Sequence, residues 1–270
     1  MNKNDYTVPA LQKGLQILAM FDNKCRKLSQ SEMADHLGVS SSSIYRIIQT
    51  LCNMGYLKKV SASKYELGSQ VVSRGFSYLA SREIVEIAAP YITKLRDRTS
   101  LSSHLAVRDG VETLYVFRAL ALQRVSVNVP IGTRFPCHIT AMGRALLFGM
   151  PIMELEQLYK GQRIDGYPVP SPQTLPDLIA MCQQEQEQGW CRHYSDDSSA
   201  LAVPICDYTG ETVAAMNISG PDLIMNKEGL QERLLKELKS VANEIMLEIG
   251  GSYKTVAPSN LDDDKFGPVS

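Results

Sequence analysis

Three groups of residues in this 270-residue chain have the types and spacing to do chemistry. The first is Ser41, Ser42, Ser43, Tyr45 and Arg46, a run of hydroxyls ending in a ring and a cation. Hydroxyls and a guanidinium at the exposed start of a helix can reach base edges and phosphates. The bland alternative makes the serines an N-cap cluster. The second group is Lys58, Lys59 and Lys64, which would hold phosphates as point charges or simply keep a strand edge solvated. The third is Cys137-His138 with Cys191-Arg192-His193, soft ligands from two loops. Adjacent Cys-His pairs do not match the spacing of common structural zinc sites. A Cys–His nucleophile pair would need an orienting third group, and none stands out. The expectation is therefore no catalytic residue, no metal and no cofactor.

The elements that must position these groups are legible from pattern. A first helix is predicted from Pro9 to about Asp22, with an apolar stripe of Leu11, Leu15, Ile17, Leu18 and Phe21. Ser29-x-x-Glu32 is a capping box opening a second helix, in which hydroxyl and carboxylate satisfy orphan backbone donors reciprocally. Gly38 permits a sharp turn, and Ser40 or Ser41 caps a third helix whose inward side is Ile44, Ile47, Ile48 and Leu51. Two short helices joined in this way can place the second in a DNA major groove. Strands over 56–60 and 64–67 add a wing carrying the lysines.

Residues 69–81 are predicted to be a linker helix, and 83–98 a further helix that Pro90 should bend or divide. Beyond Ser100 the period shortens to that of strands. Residues 104–107 and 111–118 flank an Asp109-Gly110 turn, a strong hairpin signal. Further strands are predicted over 125–129, 200–206 and 212–219, with helices over 140–148, 152–159, 174–188 and 227–249. Mixed elements without strict β-α-β alternation give an α+β class. The expected division is 1–68 as a winged helix-turn-helix domain, 69–81 as a linker helix, 82–250 as a second domain, and 251–270 as a disordered tail.

Charge is unevenly spread. Residues 1–80 carry ten Lys/Arg against five Asp/Glu, or about +5, so the overall −1 leaves about −6 for the remainder. A basic third on an acidic remainder suits a DNA-contacting module tied to a part that avoids DNA. The start of the chain has no signal-like apolar core, and no stretch approaches ~18 consecutive apolar residues, so a cytoplasmic protein is expected. The six cysteines form no C-x-x-C and no small-domain framework, and are expected to be free thiols.

With these elements in place, the chain resembles the IclR family of bacterial transcriptional regulators over roughly residues 8–250. The resemblance rests on Leu11-Gln12-Lys13-Gly14-Leu15-Gln16-Ile17-Leu18, the helix-turn-helix, and Leu51-Cys52-Asn53-Met54-Gly55-Tyr56-Leu57 leading into Tyr65-Glu66-Leu67-Gly68. In the second half it rests on Ile131-Gly132-Thr133-Arg134-Phe135-Pro136-Cys137-His138, Thr140-Ala141-Met142-Gly143-Arg144-Ala145 and Met216-Asn217-Ile218-Ser219-Gly220-Pro221. It implies a dimerising winged domain, a linker helix and a GAF-like α/β effector-binding domain, with dimers or dimers of dimers on palindromic operator DNA.

The resemblance also implies an effector site. An acid would meet backbone N–H groups at Thr140, Ala141, Met142 and Gly143, which is anion capture at a helix N-terminus. Opposite would lie Asn217 and Ser219, with an acidic-loop position at Ser195 or Asp196 and a strand position near Ile205. Met142 and Ile205 depart from the smaller or more polar residues of some members, which argues against a glyoxylate- or pyruvate-sized ligand. The function expected is a regulator that senses a small organic-acid or aromatic metabolite and controls a catabolic operon. The rival is an enzyme or metal-dependent sensor carrying a DNA-binding appendage.

Overall fold

The computed structural model describes residues 7–22, 25–80, 83–122, 126–195 and 197–251. The chain divides into two compact units, Met1–Ser81 and Arg82–Ser270.

The first unit runs α1 (Pro9–Ala19), β1 (Leu28–Ser29), α2 (Gln30–His36), α3 (Ser41–Asn53), β2 (Leu57–Lys59), β3 (Lys64–Leu67) and α4 (Ser69–Ala80). Its helices are held by an apolar core of Ile17, Met33, Ile44, Ile48, Leu57 and Tyr65. Each aliphatic side chain buried in this way contributes about 1.5–3 kcal/mol. The capping box forms at α2: Ser29 Oγ accepts from the Glu32 N–H at 3.2 Å, and Glu32 Oε2 accepts from the Ser29 N–H at 2.6 Å. Gly38 takes φ +64°, the left-handed geometry that turns the chain from α2 into α3. The wing is three-stranded, in the order β1-β3-β2. Its short first strand was hidden by the polar residues that follow it.

The second unit opens with α5 (Glu83–Thr99), which Pro90 does not divide. Then come β4 (Ser102–Asp109), β5 (Glu112–Ala119), β6 (Arg134–Pro136), α6 (Ala141–Ala145), α7 (Ile152–Tyr159) and α8 (Leu175–Gln188). It closes with β7 (Cys191–Ser195), β8 (Ser198–Cys206), β9 (Thr212–Pro221), α9 (Asp222–Met225) and α10 (Leu230–Glu248). The strands make one six-stranded sheet in the order β6-β5-β4-β9-β8-β7, with every pairing antiparallel.

The expected strand over 125–129 is not there: residues 126–130 are irregular, and Val125 lies outside the described residues. The free edge of β5 is taken instead by the chain after Pro130, where Tyr115 N–H donates to Thr133 O at 3.0 Å and β6 continues the pairing. The tail from residue 252 lies outside the described residues.

One face of this sheet packs on α6 and the other on α5 and α10. Beneath α6 the sheet presents Ala106, Ala202 and Ala215, small residues that let the helix approach closely. Gly143 completes that approach. A Cβ there would lie 2.3 Å from the Cys137 carbonyl oxygen, so only glycine fits. Arg144 and Glu185 then lock α6 to α8 with two bonds of 2.7 and 2.9 Å, and Arg144 Nη2 also donates to the Arg192 carbonyl. Among the described residues no helix is long and apolar enough to cross a membrane.

Candidate functional site

In the first unit, α3 exposes the predicted contact residues. Ser41, Ser42, Ser43, Tyr45 and Arg46 are all exposed, while Ile44 and Ile48 turn inward. Ser40 is the N-cap but makes no side-chain capping bond; its hydroxyl meets that of Ser42 at 3.2 Å. Ser43 Oγ donates to the Ser40 carbonyl at 2.7 Å, so its hydroxyl proton serves the helix. Lys58 and Lys59 are exposed on β2. Lys64 departs from the expectation of a solvated wing cation: its Nζ lies 2.7 Å and 2.9 Å from the two oxygens of Glu32. The carboxylate that caps α2 is therefore also the partner of a wing lysine. Gln30, which the sequence did not single out, donates through Nε2 to the Ser41 carbonyl at 2.7 Å and ties α2 to α3.

In the second unit a cavity of about 210 Å³ lies between the sheet and the start of α6. Of the predicted effector residues, Thr140, Ala141, Met142, Ser195, Asn217 and Ser219 line it together. Asp196 lies outside the described residues. Gly143 is not on the lining: its N–H donates to Thr140 Oγ1 at 2.9 Å, and its missing Cβ serves packing.

Ile205 is a correction. Ile205 does not line the cavity: Ala202 on β8 packs beneath α6 on the cavity side, and Ile205, three residues on and therefore on the opposite face, is fully buried. Tyr115, Val127, Val129, Phe135 and His193, none of them expected as effector contacts, complete the apolar wall and one polar corner. For His193 the signal in the sequence is its alternation with Cys191 along β7, a strand that is not among the predicted ones.

The polar floor is Asn217, held from behind by His104. Asn217 Oδ1 lies 3.0 Å from the His104 backbone nitrogen and 3.0 Å from His104 Nδ1. The backbone group can only donate, which fixes the amide orientation. Nδ1 must then carry the ring proton, and Asn217 keeps its NH₂ donors free for the cavity. Burial lowers His104 to about 4, so the ring is neutral near pH 7. Thr140 Oγ1 accepts from Gly143 and retains its own proton to donate. The first-turn N–H groups of Ala141 and Met142 have no intrahelical partner. Burial, with Arg144 nearby, lowers His193 to about 4 as well.

The cysteine–histidine pairs do not assemble. Burial pushes the Cys137 thiol up to about 11 and holds Cys191 well above its ordinary value, so both are protonated. His138 packs edge-on against Tyr159 and Tyr167. Among the described residues no three His, Cys, Asp or Glu side chains group as metal ligands.

Residues 10–61 match the IclR helix-turn-helix domain, and residues 76–247 match the bacterial transcriptional regulator IclR C-terminal domain. The chain belongs to the IclR family. It is 28% identical to the Pca regulon regulatory protein of Pseudomonas putida over 249 residues, spanning 90% of this chain and 84% of that one. A Rhodococcus sp. RHA1 protein, solved as a candidate transcriptional regulator, is 29% identical and superposes with a TM-score of 0.77 over 90% of this chain and 98% of its own. An IclR homologue from Microbacterium hydrocarbonoxydans, crystallised with 4-hydroxybenzoate, shares the fold at 18% identity and TM-score 0.73, covering 89% of this chain and 98% of that one. As an IclR-family protein the chain is a transcriptional regulator, with an IclR helix-turn-helix followed by a mixed helix-and-sheet domain of GAF-like type.

Proposed function

We propose that this regulator binds operator DNA as a homodimer or dimer of dimers, and that a small organic or aromatic acid in the cavity alters that binding. The observation that carries the reading is the composition of the cavity. It combines an aromatic and aliphatic wall of Tyr115, Phe135 and Met142 with a floor and rim of hydrogen-bond donors from Asn217 and Thr140. A ring with one acidic substituent satisfies both ends. The wall gains apolar contact, and the donors replace the water lost from the carboxylate. At about 210 Å³ the space suits a ligand of that size better than a two- or three-carbon acid.

In this reading, residues 1–68 read the operator through Ser41, Ser42, Ser43, Tyr45 and Arg46, with Lys58 and Lys59 on flanking phosphates. Residues 69–81 join them to the effector domain, 82–250, and the protein works in the cytoplasm on a catabolic operon. The effector acts through a difference in its affinity for DNA-competent and DNA-incompetent states, since nothing else can shift that equilibrium.

A thermal-shift screen of aromatic acids, keto acids and sugar acids tests the reading. A ligand that binds only the folded state adds about 2.7 kcal/mol of stability at about 100 times its Kd. Stabilisation by at least one acid, lost on replacing Ala200 with Leu, is the expected result. A screen with no stabilising acid would remove the effector site.

A further inference from the structure

We propose that His193 recognises the acid group of the effector, and that a carboxylate enters the cavity together with one proton taken up by this imidazole. The inference rests on the effector reading above and adds to it a residue and a stoichiometry. Its basis is a charge imbalance. Among the described residues that line the cavity there is no lysine and no arginine, and His193 is the one side chain able to become a cation. Every other donor there is neutral, so an anion bound by these alone would bring an uncompensated charge into a largely apolar space.

The nearby cation is already committed. Arg144, facing His193 from α6, is buried and held by Glu185 of α8 at 2.7 and 2.9 Å and by the Arg192 carbonyl. It repels a proton on His193 but is not free to take the ligand.

The remaining groups around His193 do not titrate near neutrality. On its own strand Cys191 is kept protonated by burial, and from β5 Tyr115 is kept un-ionised for the same reason. Across the sheet, β8 offers Ala200 opposite His193 and β9 offers Ser219 in the same register, while Asn217, opposite Ala202, is held by His104 on β4, a neutral ring. Asp196 lies outside the described residues and is therefore built into the test.

Burial and Arg144 hold His193 at about 4 in the empty cavity. A carboxylate within about 4–6 Å favours the charged ring by roughly 1–3 units. The proton comes from solvent and goes to a ring nitrogen; the ligand stays a carboxylate, and no other bond changes. Because the bound state holds more protons than the free state, affinity must rise as pH falls through the bound-state value. Carboxylic acids of ordinary strength remain ionised at pH ~5.5, so the ligand itself does not supply the effect.

Calorimetric titration of the full-length protein with benzoate, 4-hydroxybenzoate and benzamide, at pH 7.5, 6.5 and 5.5 and in two buffers of different ionisation heat, decides the matter. A shift of roughly 2–3 units makes at least one acid bind about four- to twenty-five-fold more tightly at pH 5.5 than at 7.5, with uptake rising toward one proton by pH 5.5. His193→Gln should bind that acid with little dependence on pH, whereas Asp196→Asn should keep the dependence. An acid that binds equally at all three pH values, or a normal dependence in His193→Gln, overturns the role of His193 and leaves the effector cavity standing. Binding of benzamide but of neither acid overturns the proposal in favour of a neutral effector. No binding of any of the three, even at pH 5.5, overturns both the proposal and the aromatic-acid reading beneath it.

Discussion

Lys64 and Glu32 join two elements that are far apart in sequence: the lysine on β3 grips, at 2.7 Å, the carboxylate that also caps α2. One acidic side chain therefore sets both the start of α2, the helix preceding α3, and the seating of the wing. The Lys64 hydrogen bond, together with those from Ser29, lowers the Glu32 carboxyl from 4.5 to about 2. A depressed carboxylate stabilises the fold above its unfolded-state value and loses that contribution as pH falls toward its folded value. Replacing Glu32 with Gln should lower the melting temperature at pH 7, and the gap from the parent protein should narrow between about pH 4.5 and pH 2. A gap that stays constant down to pH 2.5 would show that the ion pair adds nothing.

The same pair separates the wing lysines into two kinds. Lys58 and Lys59 are exposed and, unlike Lys64, form no ion pair among the described residues, so each should contribute about one unit to the salt slope of DNA binding. Lys64→Ala should change that slope less, because its charge is already engaged by Glu32. Anisotropy titrations at several salt concentrations would show it; equal slopes for all three variants would contradict the distinction.

Arg144 and Glu185 form the buried counterpart, with side chains only 4% and 9% exposed. Removing one partner of such a pair costs about 3–5 kcal/mol, because the other charge is left buried and alone. Glu185→Ala should lower the stability of the second unit by about that amount in urea unfolding. A loss under about 1 kcal/mol would mean that water reaches the stranded guanidinium.

Cavity size gives a fourth expectation. Ala200→Leu adds bulk to a lining position on β8 and should abolish stabilisation by acids while sparing DNA binding, since residue 200 belongs to the other compact unit. Ser219→Ala should raise the effector concentration needed, because its hydroxyl is bonded only weakly, at 3.4 Å, to the Ser102 carbonyl and remains usable by a ligand. An unchanged dose response in thermal shift would take Ser219 out of the site.

What could be read from the sequence followed the range of the interactions. The Ser29–Glu32 capping box, the Gly38 turn and the Asp109-Gly110 hairpin are local, and each formed as its residues dictate. Lys64 looked like a free cation because its partner stands 32 residues away. β6 and β7 escaped notice because they are short edge strands whose alternation is broken by polar residues. Ile205 was placed in the site by position along the chain, but a strand inverts its face with each step, and an odd offset from Ala202 puts it in the opposite core. His193 stands out in the sequence only beside Cys191, as a soft-ligand type whose spacing fits no metal site, because without β7 nothing places it in the cavity with Asn217 and Thr140.

The central claim is that occupancy of the cavity changes DNA binding. It is tested most directly by measuring the affinity of the full-length protein for a duplex selected from a random pool, with and without a saturating acid found by thermal shift. The predicted result is a change of at least about fivefold, the lower end of ordinary coupling between sites, with Ala200→Leu bound to the same duplex but insensitive to the acid. Equal affinity with and without an acid that demonstrably fills the cavity would contradict it.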